Sequence, residues 1–453
     1  FYAKVSDSVG ELFLDHQKPA GYWNESAGPD ASYIGITHNL LSEYMQRSLN
    51  RGEHGQAVQA AMDASYTLFN HTVAGEKIGG LLGAFNFNHR IATGFEREQW
   101  GGAKGLADNI PSTSLMGKLL YGAATPGQQD LIGAANTFAQ NVKNDHAAAG
   151  GGIDLYRYLN SAQRSDDIVF PYTESSFKRK MGEEFIFIKK PSYYTSVYVG
   201  KPSPDVDSET RESIRIPNPA KEDIDPNQDP TNLASISAYQ NTPLTGGGLS
   251  MFWTPGFRNS LLAGSWSPLV HHGLVASMLG KRYWEDYQKT AFNWIPDSSF
   301  LQVTGELESS SITYTRNYLF FDNKIDVYLS LSSIAGWSGE SLFENIPLTT
   351  CTRTECNPNT GPRNKKRLGS TIVNLSNQAI SGAQNLSGFR IVDSEGDSVK
   401  FQFDGNRNVF VAPHGLRENY YNSELQIGRV QIQLPSNIPA GGTVQLMYSI
   451  IPE

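Results

Sequence analysis

The spacing of apolar residues changes once along this chain, and that change limits what it can fold into. From Phe1 to about Arg164 they recur every three to four positions, as in "NLLSEYMQRSL", "GQAVQAAMDASYTLF", "STSLMGKLLYGA" and "QQDLIGAANTFAQNVKN". Turns rich in Gly, Pro and Asn separate these stretches, which predicts a stack of amphipathic helices. From about Asp167 onward the period falls to two, in "EEFIFIKK", "SYYTSVYVG", "SSITYTRNYLFF", "KIDVYLSLSSI", "VKFQFDG", "RVQIQLP" and "TVQLMYSI". That alternation predicts a large antiparallel β region. Helices first and strands afterwards make an α+β multidomain chain rather than alternating βαβ units. At 453 residues two or three domains are expected. The borders fall at a helical portion over 1–165, a central antiparallel β-sandwich over 166–345 and a C-terminal β-sheet portion over 346–453.

Loops and charge narrow the partners. Lys201 to Leu233 is rich in Pro, Asp and Ser, and a loop of that length tends to be functional. A second polar loop, Cys351 to Leu368, carries "RNKKR", read here as a solvated basic turn. The net charge of −8 opposes nucleic acid as a general partner, so a polyanionic substrate would need a local basic groove. No apolar run approaches the roughly 18 residues of a membrane span, and no membrane partner is expected. The opening "FYAKVSDSVGELFLDHQ" lacks a basic start followed by an apolar core, as expected of an interior or processed start. The two cysteines, Cys351 and Cys356, fit a small disulfide-closed loop better than a zinc site, which would need further ligands nearby. Sequons at Asn24, Asn70, Asn374 and Asn385 favour glycosylation. Together with the cysteines they favour a secreted protein in an oxidising, extracellular compartment.

No nucleotide signature is present: "GGLLG" and "TGGGLSM" lack the P-loop lysine and the Rossmann spacing. Metal spacing such as HExxH is also absent, and the adjacent His271 and His272 point in different directions on either kind of element. Three polar and aromatic clusters remain. The first, "GYWNESAGPDASYIGITHNLLSEY", holds Trp23, Tyr33, His38, Asn39 and Tyr44. The second, "GAFNFNHRIATGFEREQW", gathers Asn88, His89, Arg90, Arg97 and Trp100. The third, "SWSPLVHHGLVASMLGKRYWEDY", contributes His271 and His272. Indole faces for sugar rings, with fixed amide and guanidinium forks for hydroxyls and carboxylates, are what a carbohydrate groove offers. Taken singly, each has a duller account: an isolated His is usually a hydrogen-bonded structural residue, and Tyr193 and Tyr194 read as strand packing.

The order of parts resembles the heparinase-like and chondroitin/hyaluronate-type polysaccharide lyases, in which a helical toroid precedes an antiparallel β-sandwich. "GYWNESAGPDASYIGIT" resembles a turn of their toroids, "GGLSMFWTPGFRNSLL" the start of their central sheet domain, and "NYLFFDNKIDVYLSLSSIAG" one of its strand pairs. The resemblance implies an N-terminal (α/α) toroid and cleavage of a uronic-acid-containing polysaccharide by β-elimination. Asn and Arg neutralise the uronate carboxylate in that scheme, and His and Tyr serve as base and acid. Carried over, Asn88 or Arg90 is the neutraliser and His89 a base or second neutraliser. Tyr33 or Tyr44 is the acid–base tyrosine with His38 beside it, and His271 or His272 reaches the cleft from the sandwich. Trp23, Asn39, Arg97 and Trp100 would line the substrate. The scheme requires no metal or organic cofactor and leaves room for a structural divalent cation.

The chain also departs from the family. A complete toroid needs about a dozen helices of average length, and the helical portion has room for roughly half. An incomplete toroid, or one completed by a second chain or a cleaved N-terminal fragment, is therefore expected. Two other classes stay open. A glycoside hydrolase on a toroid would need paired carboxylates roughly 5–10 Å apart, for which Glu25 with Asp30 or Glu96 with Glu98 are the candidates. A non-catalytic glycan-binding protein would bind polymer without shortening it.

Overall fold

The computed structural model describes residues 2–23, 52–75, 81–83, 171–200, 247–257, 272–285, 289–307, 310–349, 370–411, 416–418 and 425–453. Those up to 174 belong to one compact unit and those from 175 onward to another.

In the first unit, α1 (Tyr2–His16) and α2 (Glu53–His71) are the two α-helices among the described residues, and β1 (Val73–Gly75) pairs antiparallel with β2 (Leu81–Gly83). In α2 the buried Val58, Ala61, Met62, Tyr66 and Phe69 recur at three- and four-residue steps, the stripe that drives a helix onto a core. The chain leaving α1 is tied to α2 by Gln17, whose Nε2 donates to Ala61 O at 2.6 Å and Gly21 O at 3.0 Å. Gly21 has φ +99°, and a Cβ there would lie 2.6 Å from Ala64 O, so only glycine lets the two segments pass. The expected toroid is not among what these residues show.

The second unit is a two-layer antiparallel β structure. Its smaller sheet runs β3 (Phe177–Met181), β4 (Phe185–Lys190), β5 (Tyr193–Tyr198) and β6 (Leu249–Trp253) in sequence order. The larger begins with β7 (Gly273–Met278), β8 (Lys281–Trp284), β9 (Ala291–Ile295), β10 (Phe300–Glu306), β11 (Ile312–Phe320) and β12 (Ile325–Ser333). After the short β13 (Trp337–Ser338), the sheet continues with β14 (Ser341–Thr349), β15 (Ser370–Asn374), β16 (Ala383–Asp393) and β17 (Ser398–Val411). It ends with β18 (Leu416–Glu418), β19 (Leu425–Gln433) and, past β20 (Asn437–Ile438), β21 (Gly442–Pro452). Its path is β8-β7-β14-β19-β17-β21-β12-β11-β10-β9, with β15, β16 and β18 attached beside it. The short β13 and β20 pair with each other.

Alternation places Ile186, Ile188, Tyr193, Val197, Leu249 and Phe252 of the smaller sheet in one core with Leu301, Val303, Tyr318, Val327, Leu329 and Leu446 of the larger. Tyr193 and Tyr194 are fully buried strand residues, as their sequence context predicts. The border expected at 345/346 is corrected: it falls inside β14, and β12 pairs with β21 from Ile325↔Ile450 to Ser333↔Gly442. Residues on both sides of it hold one sheet together.

The large sheet curls, because groups from opposite ends of its path meet. Glu285, just past β8, forms an isolated antiparallel bridge with Leu307, just past β10. Between β7 and β8 the two-residue turn Leu279–Gly280 has positive φ at both positions (53° and 72°), the geometry that matches the twist of a tight hairpin.

Candidate functional site

Most of the residues expected to form a groove lie outside the described residues: Tyr33, His38, Asn39, Asn88, His89, Arg90, Arg97, Trp100 and His271, with Asn24, Cys351 and Cys356. Trp23, Asn70, His272, Asn374 and Asn385 are described.

Trp23 is 8% exposed, its indole N–H donates to Phe13 O at 2.7 Å, and its ring meets Phe13 edge to face at 6.4 Å. The expectation of a sugar-stacking face is corrected to a packing role, since the ring is covered by its own unit. Asn70 is 1% exposed within α2, so a glycan there would break the packing of that helix, and this sequon is removed from the expected set. Asn385 is exposed on β16, and Asn374 closes a turn, its Oδ1 accepting from the N–H of Ser376 at 2.9 Å and of Gln378 at 3.0 Å.

His272 is where polar chemistry gathers among the described residues. It is 1% exposed, in the core between the two sheets. Its Nδ1 accepts the backbone N–H of Leu249 at 2.9 Å and therefore carries no proton while that bond holds. The ring proton sits on Nε2, which lies 2.7 Å from Tyr448 Oη; that hydroxyl in turn donates to Glu344 Oε1 at 3.2 Å. Glu344 Oε2 accepts from an Arg316 terminal nitrogen at 2.9 Å, and the same nitrogen donates to Glu285 Oε1 at 2.7 Å. Glu285 Oε1 also accepts the Leu274 N–H at 2.7 Å. The expected substrate contact through His272 is corrected to a structural one, because both ring nitrogens are used inside the sandwich.

The network exists because of sheet curvature. Leu249 belongs to β6, Glu285 follows β8, and Glu344, Arg316 and Tyr448 sit on β14, β11 and β21. Arg316, Glu285 and Glu344 have fully buried side chains, so their charges are tolerable only as a mutually bonded set. Burial raises the Glu344 carboxyl above its usual range, while Arg316 pulls it back. Burial opposes the Arg316 charge, yet Glu285 and Glu344 outweigh it and hold the guanidinium well above its ordinary value. Tyr448 and Tyr318 are raised by burial, with Glu344 adding to the effect at Tyr448, so both remain phenols. Such a set is bonded within itself and touches no solvent, so it braces a sheet and presents no group to a ligand.

Sequence reasoning missed Arg316, Glu285, Glu344 and Tyr448. The signal was parity: in "SSITYTRNYLFF" Arg316 falls on the same face as Ile312, Tyr314, Tyr318 and Phe320. A charge on an apolar face demands buried partners. Among the described residues no three His, Cys, Asp or Glu side chains group to hold a metal, and no helix is long and apolar enough to cross a membrane.

No protein-family model and no curated protein sequence matches the chain. Solved structures do resemble it. Heparinase III aligns over 99% of this chain and 56% of its own, at 10% identity and a TM-score of 0.52. The heparan sulfate lyase of Pedobacter heparinus aligns over 98% and 55%, at 10% identity and 0.45. The chondroitin AC lyase of Streptomyces coelicolor A3, in complex with chondroitin sulphate, aligns over 96% and 54%, at 9% identity and 0.42. The chain thus spans about half the length of these proteins. The heparinase III match shows a relationship of fold.

Proposed function

We propose that this chain is a polysaccharide lyase, or the larger part of one, that cleaves a uronic-acid-containing polysaccharide by β-elimination. The observation that carries the reading is the fold relationship to heparinase III along nearly the whole chain. The crowd of amides, guanidiniums and an imidazole between Gly83 and Trp100 supports it.

In this reading Asn88 or Arg90 binds the uronate carboxylate, and a second charge-assisted bond lowers the cost of removing the neighbouring C5 proton. His89 or Tyr33 takes that proton. The C5–H electron pair forms the C4–C5 double bond as the C4–O bond breaks, and a tyrosine hydroxyl, Tyr33 or Tyr44, returns a proton to the leaving oxygen. His38, Asn39, Arg97, Trp100 and His271 would bind the flanking sugars. A second chain or an N-terminal fragment would complete the toroid. We further place the protein outside the cell, with Cys351 paired to Cys356 and glycans on Asn24, Asn374 or Asn385.

Ultraviolet absorbance of the protein mixed in turn with glucuronan, alginate, hyaluronan, chondroitin, heparan and pectin tests the reaction. A rise from the conjugated unsaturated uronate is expected with at least one polymer. His89→Ala and Tyr33→Phe should each lower that rate by about 10²-fold or more, the scale of a positioned acid or base. New reducing ends without absorbance would replace the lyase by a hydrolase, and intact polymer throughout would leave a binding protein.

A further inference from the structure

The solvent face of the large sheet carries an ordered band of uncharged polar groups. Register aligns Asn293 of β9, Gln302 of β10, Asn317 of β11, Tyr328 of β12 and Met447 of β21 in one row across five strands. Tyr328 is 39% and Met447 36% exposed, so an aromatic ring and a thioether lie open at the end of an amide ladder. Gln302 Nε2 donates to Asn317 Oδ1 at 3.1 Å, fixing both amide planes before any ligand arrives. The adjacent row on the same face, Thr304, Thr315, Ser330 and Gln445, is again hydroxyl and amide. The acids bordering these rows, Glu306 and Asp326, are each held by a lysine, Lys289 and Lys324.

We propose that this face is a binding surface for a neutral, β-1,4-linked polysaccharide, separate from the groove that handles uronate. Neighbouring strands lie about 4.8 Å apart, close to the advance of one pyranose unit along an extended polymer. A chain laid across the strands therefore meets one polar side chain per sugar. Amides and hydroxyls exchange hydrogen bonds with sugar hydroxyls, and Tyr328 offers a ring face for a pyranose. Charge decides between polymers. The two rows hold no Lys or Arg to attract carboxylates, and the chain as a whole, at −8, repels polyanions. An uncharged partner is the one this face complements.

Native gels cast with soluble β-1,4-glucan, uncharged arabinoxylan, alginate or hyaluronan test the proposal. A neutral polymer gives a lyase no uronate to eliminate, so failure here is distinguishable from failure of the lyase reading. Retardation is expected in a neutral gel, about tenfold weaker for Tyr328→Ala, reduced for Asn317→Ala and kept by Tyr328→Phe, which retains the ring. The melting temperatures of these variants should stay close to the parent's, since Tyr328 is exposed and Asn317 lies half-buried on the outer face, away from the core. No retardation in either neutral gel overturns the proposal, as does retardation confined to the acidic gels. A concentration-dependent dimer lost in Tyr328→Ala would also overturn it, by assigning the face to a second copy of the chain.

Discussion

Arg316 and Asn317 are neighbours in β11, and their side chains leave the strand on opposite faces of the large sheet. Arg316 enters the sandwich interior and is tied to Glu285 and Glu344, with no solvent exposure. Asn317 faces water and bonds to the side-chain amide of Gln302. Both make polar contacts across strands, yet only the inner set is indispensable. A buried charge left alone has no water to replace its partner, whereas a half-buried neutral amide within reach of water exchanges one hydrogen bond for another at little net cost. Polar residues can therefore brace a sheet on one face and remain free for a ligand on the other.

The largest expected effect breaks the inner side of the comparison. Arg316→Met removes the shared cation and strands two buried carboxylates, which should lower unfolding stability by about 3–5 kcal/mol, read as a shifted denaturant midpoint. Adding Glu285→Gln and Glu344→Gln should recover much of it, because neutral amides no longer need the cation. If the single variant unfolds like the parent, the network does not brace the sheet. Tyr448→Phe comes next. It takes away the hydroxyl between His272 and Glu344 without changing the ring, and should cost about 1–3 kcal/mol, the penalty for unsatisfied buried groups.

The strands themselves were legible, because the period of two in "SSITYTRNYLFF", "KIDVYLSLSSI" and "TVQLMYSI" became β11, β12 and β21. Which strands would meet was not. β12 pairs with β21 across more than a hundred residues, and Glu285 bridges to Leu307 only because the sheet curls; no local pattern encodes either contact. His272 shows the same limit at the site. Its sequence neighbourhood, with His271 and several aromatics, reads as a ligand cluster, but the Leu249 N–H that takes its Nδ1 comes from another strand. Trp23 likewise offers an indole in the sequence and commits it to Phe13. The groove cluster from Asn88 to Trp100 lies outside the described residues and stays a reading of residue types.

The pH dependence sharpens the comparison further. Burial raises the Glu344 carboxyl in the folded chain, so the native state binds more protons than the unfolded state just above the ordinary carboxylate range. Stability should therefore fall as pH rises through that window. Glu344→Gln should flatten this slope, by at most about 1.4 kcal/mol per pH step of one, the limit for a single proton. Glu453 provides an opposite control. Burial alone would raise it, but hydrogen bonds from Arg390 and Ser398 prevail and lower it, so its contribution is lost as pH falls. Denaturation series of Glu344→Gln and Glu453→Gln across mildly acidic pH should give slope changes of opposite sign. Equal signs would mean that the inner network does not hold Glu344 as described.

The smallest expected change carries the outer half of the comparison. Asn317→Ala deletes one member of a half-buried amide pair on the outer face and should alter stability by no more than about 0.5 kcal/mol, as surface substitutions away from the core do. Next to the loss expected from Arg316→Met one position earlier, that gap separates structural polarity from polarity free for a ligand. A cost above about 1 kcal/mol, the scale of a net hydrogen bond, would show that the amide ladder helps to hold β10 to β11. The outer face would then be a second brace, and neutral-polymer binding would have to be tested with Tyr328→Ala alone, whose exposed ring lies outside the amide pair.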